Sequence, residues 1–181
     1  AIEMHEHALR IAQETSDLLS EGITCGNLGN NYHVQGNVDR ALEMHQKNLH
    51  IAETLDNRQS AGVAKGNIAL CYRTMGEQYS IQGLSEQAVC NLTEAINWYD
   101  QQLQIRSELM DKAGVEAATK NIVYCRDQIG QLTRGEEVQK LADLGHHSKN
   151  EGQYTNAIAL YEQALVILEE VGSLTGGGRM C

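Results

Sequence analysis

The sequence predicts an all-α fold, a right-handed superhelical solenoid of antiparallel helix pairs in which one hairpin is lengthened and protrudes. Three observations carry this expectation. First, Ala1-Ile-Glu-Met-His5 through Leu9-Arg-Ile-Ala12 returns as Ala41-Leu-Glu-Met-His45 through Leu49-His-Ile-Ala52. Gly22, Asn27, Tyr32 and Gly36 likewise return as Gly62, Asn67, Tyr72 and Gly76, every offset being 40 residues. A period of that length marks one supersecondary unit stacked on copies of itself, each too small to bury its apolar face alone. Second, apolar residues inside the units recur at spacings of three and four, the period of an amphipathic helix. Third, the chain of 181 residues has 17 glycines and no proline. Glycine is then the only strong helix breaker, and small residues suit close helix crossings.

The elements follow in order. Ile2 to Leu19 carries Met4, Ala8, Leu9, Ile11, Ala12, Thr15 and Leu19 at helical spacing and reads as the second helix of a pair, a half repeat over 1–19. The next unit, 20–56, has a first helix from about Ser20 or Gly22 to Val34 and a stop at Gly36-Asn37, where glycine takes the left-handed conformation and asparagine caps a second helix over 38–55. Ser60 is placed to cap the first helix of the third unit, 60–112. There the register slips: Ala95-Ile-Asn-Trp98-Tyr99 to Ile105 matches Ala41 to Ile51 at an offset of 54, so 54 − 40 = 14 residues have entered after Gly76. The inserted stretch holds Tyr79, Ile81, Leu84, Ala88, Val89 and Leu92 and no proline. It reads as two helical arms meeting near Gly83, each longer by about seven residues, or roughly two turns. A lone first helix follows over 113–130, marked by Asn121-Ile-Val-Tyr-Cys125 and Gly130. A short connection over 131–136 stands in for its second helix, and a last pair occupies 136–171. Residues 1–172 read as one repeat domain, and 173–181, with Gly176-Gly177-Gly178, as a flexible tail.

Composition narrows the function. The formal net charge is -10 and the pI about 5.1, so phosphate backbones and anionic lipid are repelled and nucleic acid is not an expected partner. The longest apolar stretch, Ala157 to Leu168, is interrupted by Tyr161, Glu162 and Gln163 and falls short of the roughly twenty residues a membrane span requires. Cys25, Cys71, Cys90, Cys125 and Cys181 are odd in number, scattered and without a CxxC pair, which reads as reduced thiols in a cytoplasmic protein. No cofactor motif is present. Gly26-Asn-Leu-Gly29 lies inside a helix and follows no strand, so it is not a phosphate loop. His5-Glu6-His7 and His146-His147 are too close along a helix to chelate together. His5 and His45 instead share the repeat position that Tyr99 and Tyr161 fill elsewhere, a packing position. No nucleophile has a local catalytic context, and the chain is expected not to be an enzyme.

Gly145, Gly152, Ala157, Tyr161 and Ala164 fall at the spacings of the tetratricopeptide repeat, and Gly29, Tyr32, Gly36 and Ala41 hold the same places in the earlier unit. The stretch Gly22 to Asp56, with Asn27-Leu-Gly-Asn30, Tyr32, Gly36, Ala41, His45 and Leu49-His-Ile-Ala52, resembles the 40-residue tetratricopeptide repeats of the Pins/LGN family of cell-polarity adaptors. The resemblance implies a scaffold whose first helices line a concave groove that captures a peptide or helical segment of another protein. It places Asn27, Asn67 and Asn121 in that groove as a ladder of amides, with Asn30, Leu70 and Tyr124 one turn on and His33, Arg73 and Asp127 next. Amides both donate to and accept from a peptide backbone, and Gly26 and Gly66 are expected to leave room beside them. The competing reading has the three asparagines tying neighbouring helices together. A carboxylate clamp of the chaperone-binding kind is rejected, because Gly26, Ala117 and Asn121 stand where its cations belong. A second reading of function makes the chain a structural part of an assembly. It would act through the 77–110 hairpin, with apolar surface on Trp98 and Tyr99, or self-associate through the uncapped half repeat at 1–19.

Overall fold

The computed structural model describes residues 2–176, with side chains through Glu169. They form seven helices, α1 (Ile2–Glu14), α2 (Leu18–Val34), α3 (Val38–Thr54), α4 (Arg58–Ile81), α5 (Ser85–Glu108), α6 (Lys112–Asn150) and α7 (Tyr154–Gly176), and no strand occurs among the described residues. The chain divides into two compact units, Ala1–Arg126 and Asp127–Cys181. The division falls inside α6.

In the first unit α2 pairs with α3 and α4 with α5, while α1 packs on α2 and α3 on α4. Two kinds of turn alternate. From a first helix to a second the chain passes through Gly36 (φ +77°) and Gly83 (φ +75°), where a left-handed residue closes the helix. From a second helix to a first it passes through Ser16, Asp56 and Met110, all at φ between +51° and +55°. Each is followed by an acceptor: Asp17 Oδ1 takes the Ser20 N–H at 3.1 Å, Asn57 Oδ1 the Ser60 N–H at 2.9 Å and Asp111 Oδ1 the Gly114 N–H at 2.9 Å. These side chains satisfy amides that a helix start leaves unpaired. Asn57 therefore caps α4, not Ser60, and α2 begins at Leu18 because Asp17 caps it.

The lengthened hairpin is as expected. α2 and α3 have 17 residues each and α4 and α5 have 24, so each arm gains 24 − 17 = 7 residues, about 10 Å at 1.5 Å per residue. The turn moves to Gly83, and Gly76 becomes a packing residue inside α4, where a Cβ would stand 2.8 Å from Leu92 Cγ. The short connection expected over 131–136 is not present: α6 runs unbroken for 39 residues. Gly130 and Gly135, at and beside the expected connection, each cost a helix about 1 kcal/mol, and neither takes positive φ. α7 likewise continues through Gly176 into the expected tail, and residues 177–181 lie outside the described residues.

The core of the first unit is aliphatic. Leu28, Tyr32, Val38, Ala41, Met44 and Cys71 form one cluster, and Leu49, Ala52, Ala61, Ala64, Ile68 and Ile105 another. Each large side chain so buried contributes about 1.5–3 kcal/mol. Small residues set the crossings inside each pair. A Cβ on Gly22 would stand 3.0 Å from Ile51 Cγ2, and one on Gly62 at the same distance from Ile105 Cγ2. Gly26 faces Asn48, Gly66 faces Gln102, and Gly29 lies under the His45 ring. His45 is thus the packing residue its repeat position implies. Tyr99 is also buried, and Trp98 is partly covered with Lys65 Nζ 5.2 Å from its ring centre, so neither offers the exposed aromatic surface of the second reading. Cys25, Cys71 and Cys125 are free and buried, with thiols pushed up to about 11 chiefly by desolvation.

In the second unit Tyr161 of α7 packs on Gly145 of α6, where a Cβ would lie 2.7 Å from the ring, and His146 meets Tyr161 edge-on at 5.6 Å. Ala157, Ala164 and Ser148 are buried, and Asn156 Nδ2 donates to Ser148 Oγ at 2.9 Å. No helix among the described residues is long and apolar enough to cross a membrane.

Candidate functional site

Within the first unit α2, α4 and the opening of α6 are the first helices of their repeats. Ile23, Asn27 and Asn30 follow one another at helical spacing on one face of α2, Val63, Asn67 and Leu70 on α4, and Asn121 and Tyr124 on α6. Ile23 is 57% and Val63 43% exposed. These two precede the amide row by one turn and were not among the expected site residues. The signal was available, since they recur at the 40-residue offset, but apolar residues on an amphipathic helix are ordinarily assigned to the core. Asn27 and Asn30 are exposed, Asn67 and Leu70 half-buried. The face thus offers an apolar row beside an amide row.

Farther along, the side chains knit the three helices together. His33 Nε2 of α2 lies 3.0 Å from Thr74 Oγ1 of α4. Arg73 Nη1 of α4 donates to Asn121 Oδ1 of α6 at 3.0 Å, and its guanidinium stands 5.3 Å from the Tyr124 ring centre. Arg73 Nε is 3.4 Å from Glu77 Oε1, an ion-pair distance without hydrogen-bond geometry. Burial, and then the Arg73 charge, holds the His33 imidazole below its usual range. Burial and a hydrogen bond to Glu77 raise the Tyr124 phenol. Glu77 was legible as the residue four after Arg73; Thr74 carried no signal.

The expected residues therefore divide. Asn121 follows the reading that ties helices together, because it accepts from Arg73. The side-chain amides of Asn27 and Asn67 make no hydrogen bond among the described residues; Asn31 Nδ2 donates to the Asn27 backbone oxygen at 2.9 Å. His33 and Arg73 are committed to Thr74 and to Asn121, Glu77 and Tyr124. Asp127 is exposed and falls in the second unit. Gly26 and Gly66 do not make room for a ligand: their missing side chains admit Asn48 and Gln102 of the paired helices. Beyond the network, the extension of α4 past the α2–α3 turn leaves an open cleft of ≈ 570 Å³, lined by Gln35, Asn37, Met75, Gln78, Tyr79 and Gln82 among others.

Antiparallel helix pairs with a glycine under an aromatic or histidine ring define a helical-repeat scaffold. Two models of the tetratricopeptide repeat match the chain, one at residues 23–55 and one at 141–175. No curated protein matches it. Among solved structures it is similar to BtubC (BKLC) from P. vanneervenii, at 19% identity and a TM-score of 0.37 over 94% of this chain and 72% of that one. It is also similar to the MamA protein, at 10% identity and a TM-score of 0.27 over 99% and 96%. Superpositions this loose carry no argument about function.

Proposed function

We propose that the chain is a non-catalytic protein-interaction scaffold whose first unit captures an extended segment of a partner protein along α2, α4 and the opening of α6. The observation that carries this reading is the pairing of exposed Ile23 and Val63 with the uncommitted amides of Asn27 and Asn67. An extended peptide laid across α2 and α4 finds backbone hydrogen-bonding groups at the amides and apolar surface for its side chains one turn away. Tetratricopeptide repeats generally mediate protein–protein contacts, which supports the class of function. The net charge of -10 and the engagement of Arg73 by Glu77 favour a basic or neutral ligand. A place in the cytoplasm, in an assembly like those of the Pins/LGN adaptors, follows from composition and from the resemblance of the 40-residue units.

A pull-down from cytosol with the wild-type chain beside an Asn27→Ala, Asn67→Ala, Val63→Asp variant, read by mass spectrometry after both are shown to be folded, tests the reading. Partners lost from the variant support it, and partners retained by both sink it. One observation favours the alternative of an assembly part: Ile81, at the tip of the lengthened hairpin, is almost wholly exposed. An Ile81→Asp variant that alone loses the partners would move the function to that hairpin.

A further inference from the structure

The insertion in α4 leaves a ledge beside the α2–α3 turn. Lower on α4, the face that meets α2 and α3 is packed: Cys71 is buried with Leu28, Tyr32, Val38 and Ala41, and Met75 lies against the same cluster. Helical spacing carries that face on past Met75, and the sequence places Gln78, Tyr79 and Gln82 there, where α2 and α3 have already turned. Since α4 has 24 residues against 17 in α2, the step is about 10 Å. With Gln35, Asn37 and Asp39 of the turn, these residues enclose the cleft of ≈ 570 Å³, a size that holds a ligand group. Its polar side chains are almost wholly uncommitted. Asn37 Oδ1 accepts from the Arg40 N–H at 3.4 Å. The side chains of Gln35, Asp39, Gln78, Tyr79 and Gln82 make no hydrogen bond or ion pair among the described residues. Asp39 brings a formal negative charge, and no Lys, Arg or His is among the described lining residues. The cations nearest in sequence are engaged elsewhere: Arg40 stands 5.6 Å from the Tyr32 ring centre, and Arg73 is held by Asn121 and Glu77.

We propose that this cleft is a docking site for an arginine side chain of a partner protein. A guanidinium carries five N–H donors in one plane and no acceptor, so it needs a surface rich in acceptors. The cleft supplies the two Asp39 carboxylate oxygens for a bidentate pair, the amide oxygens of Gln35, Gln78 and Gln82 for the remaining N–H groups, and the half-buried Tyr79 ring for its flat face. Lysine fits less well, because its ammonium has three donors, no plane to stack and a tighter hydration shell to give up. An acidic side chain would meet Asp39 with no cation to answer it, and an aliphatic one would strip water from the amides without replacing their hydrogen bonds. The inference rests on the reading of the chain as a protein-interaction scaffold, but it uses a surface separate from the Asn27 and Asn67 row. That surface owes its existence to the residues inserted after Gly76, since without them α4 would end level with the α2–α3 turn.

The probe is a capped pentapeptide with arginine between two pairs of glycines, titrated to about 10 mM into the full chain labelled with nitrogen-15 and followed by NMR. Saturable shifts of the Gln35, Gln78 and Gln82 side-chain amides are expected. Replacing the arginine by citrulline, which keeps the shape and removes the charge, should weaken binding roughly tenfold, and replacing it by lysine should weaken it by a smaller factor. In the chain, Asp39→Asn should weaken the arginine peptide roughly tenfold and Tyr79→Ala severalfold, with resonances distant from the cleft unmoved to show that both variants are folded. Asn67→Ala should leave this titration as it is, whether or not the amide row binds a partner, so the two surfaces are tested apart. Four results would each overturn the inference. No saturable shift would leave the cleft without an arginine site. Equal binding of the citrulline or a glutamate peptide would show that the Asp39 charge is not read. Binding indifferent to Asp39→Asn would place the arginine elsewhere, and loss on Asn67→Ala alone would assign it to the amide row.

Discussion

His45 should make this protein acid-labile. Its ring is buried on Gly29, its Nδ1 finds no hydrogen-bond partner among the described residues, and its pKa falls from 6.5 to about 4, through desolvation first and the neighbouring His33 second. The folded state therefore binds the proton less readily than the unfolded chain. A buried group with a depressed basic pKa contributes nothing to lose above about pH 6.5. It lowers stability as pH falls from there to about 4, and below that its effect is complete. The fall from 6.5 to about 4 corresponds to about 3 kcal/mol, a large part of the 5–15 kcal/mol typical of a domain. The perturbation is His45→Tyr. Tyrosine fills the same repeat position at Tyr99 and at Tyr161, where it sits on Gly145, and burial holds the Tyr99 phenol up at about 12, so it stays neutral throughout. Urea unfolding at intervals between pH 7 and pH 4 measures both proteins. Exposed carboxylates titrate alike in the two and cancel in the difference. Wild type should lose about 3 kcal/mol more than the variant over that range; parallel stability curves would refute the reasoning.

Two further outcomes follow from the packing. Gly29→Leu drives a side chain into the His45 ring and should destabilise the first unit by about 1–3 kcal/mol; adding His45→Ala should recover part of that loss in thermal unfolding, since the two positions share one space. Gly83→Val forces a β-branched residue to φ +75° and should cost about 1–2 kcal/mol, with helical circular dichroism otherwise unchanged.

The lengthened hairpin was readable because an insertion leaves an arithmetic trace. Ile105 still meets Gly62 as Ile51 meets Gly22, so the change from an offset of 40 to one of 54 assigned the extra residues to both arms before any contact was known. The packing role of His45 was readable for the same reason, through its equivalence with Tyr99 and Tyr161. The caps were misread because local preference does not rank neighbours: Asn57 and Ser60 are both good cap residues, and the left-handed Asp56 decides that the helix starts after Asn57. The unbroken α6 was misread because Gly130 is a turn signal only where the chain has somewhere to turn.

The candidate groove divides along the same line. Repetition alone placed Asn27, Asn67 and Asn121 in equivalent positions, and it determined the pairing of α2 with α3 and of α4 with α5 and the register of their crossings, since these follow from spacing along one chain. Which amides stay uncommitted was decided by tertiary structure, because hydrogen bonds depend on side chains distant in sequence. Arg73 reaches across to Asn121, and nothing described reaches Asn67. Which glycines serve a ligand and which a neighbouring helix was decided there too. Asn48 and Gln102, each more than twenty residues away in sequence, fill the spaces beside Gly26 and Gly66.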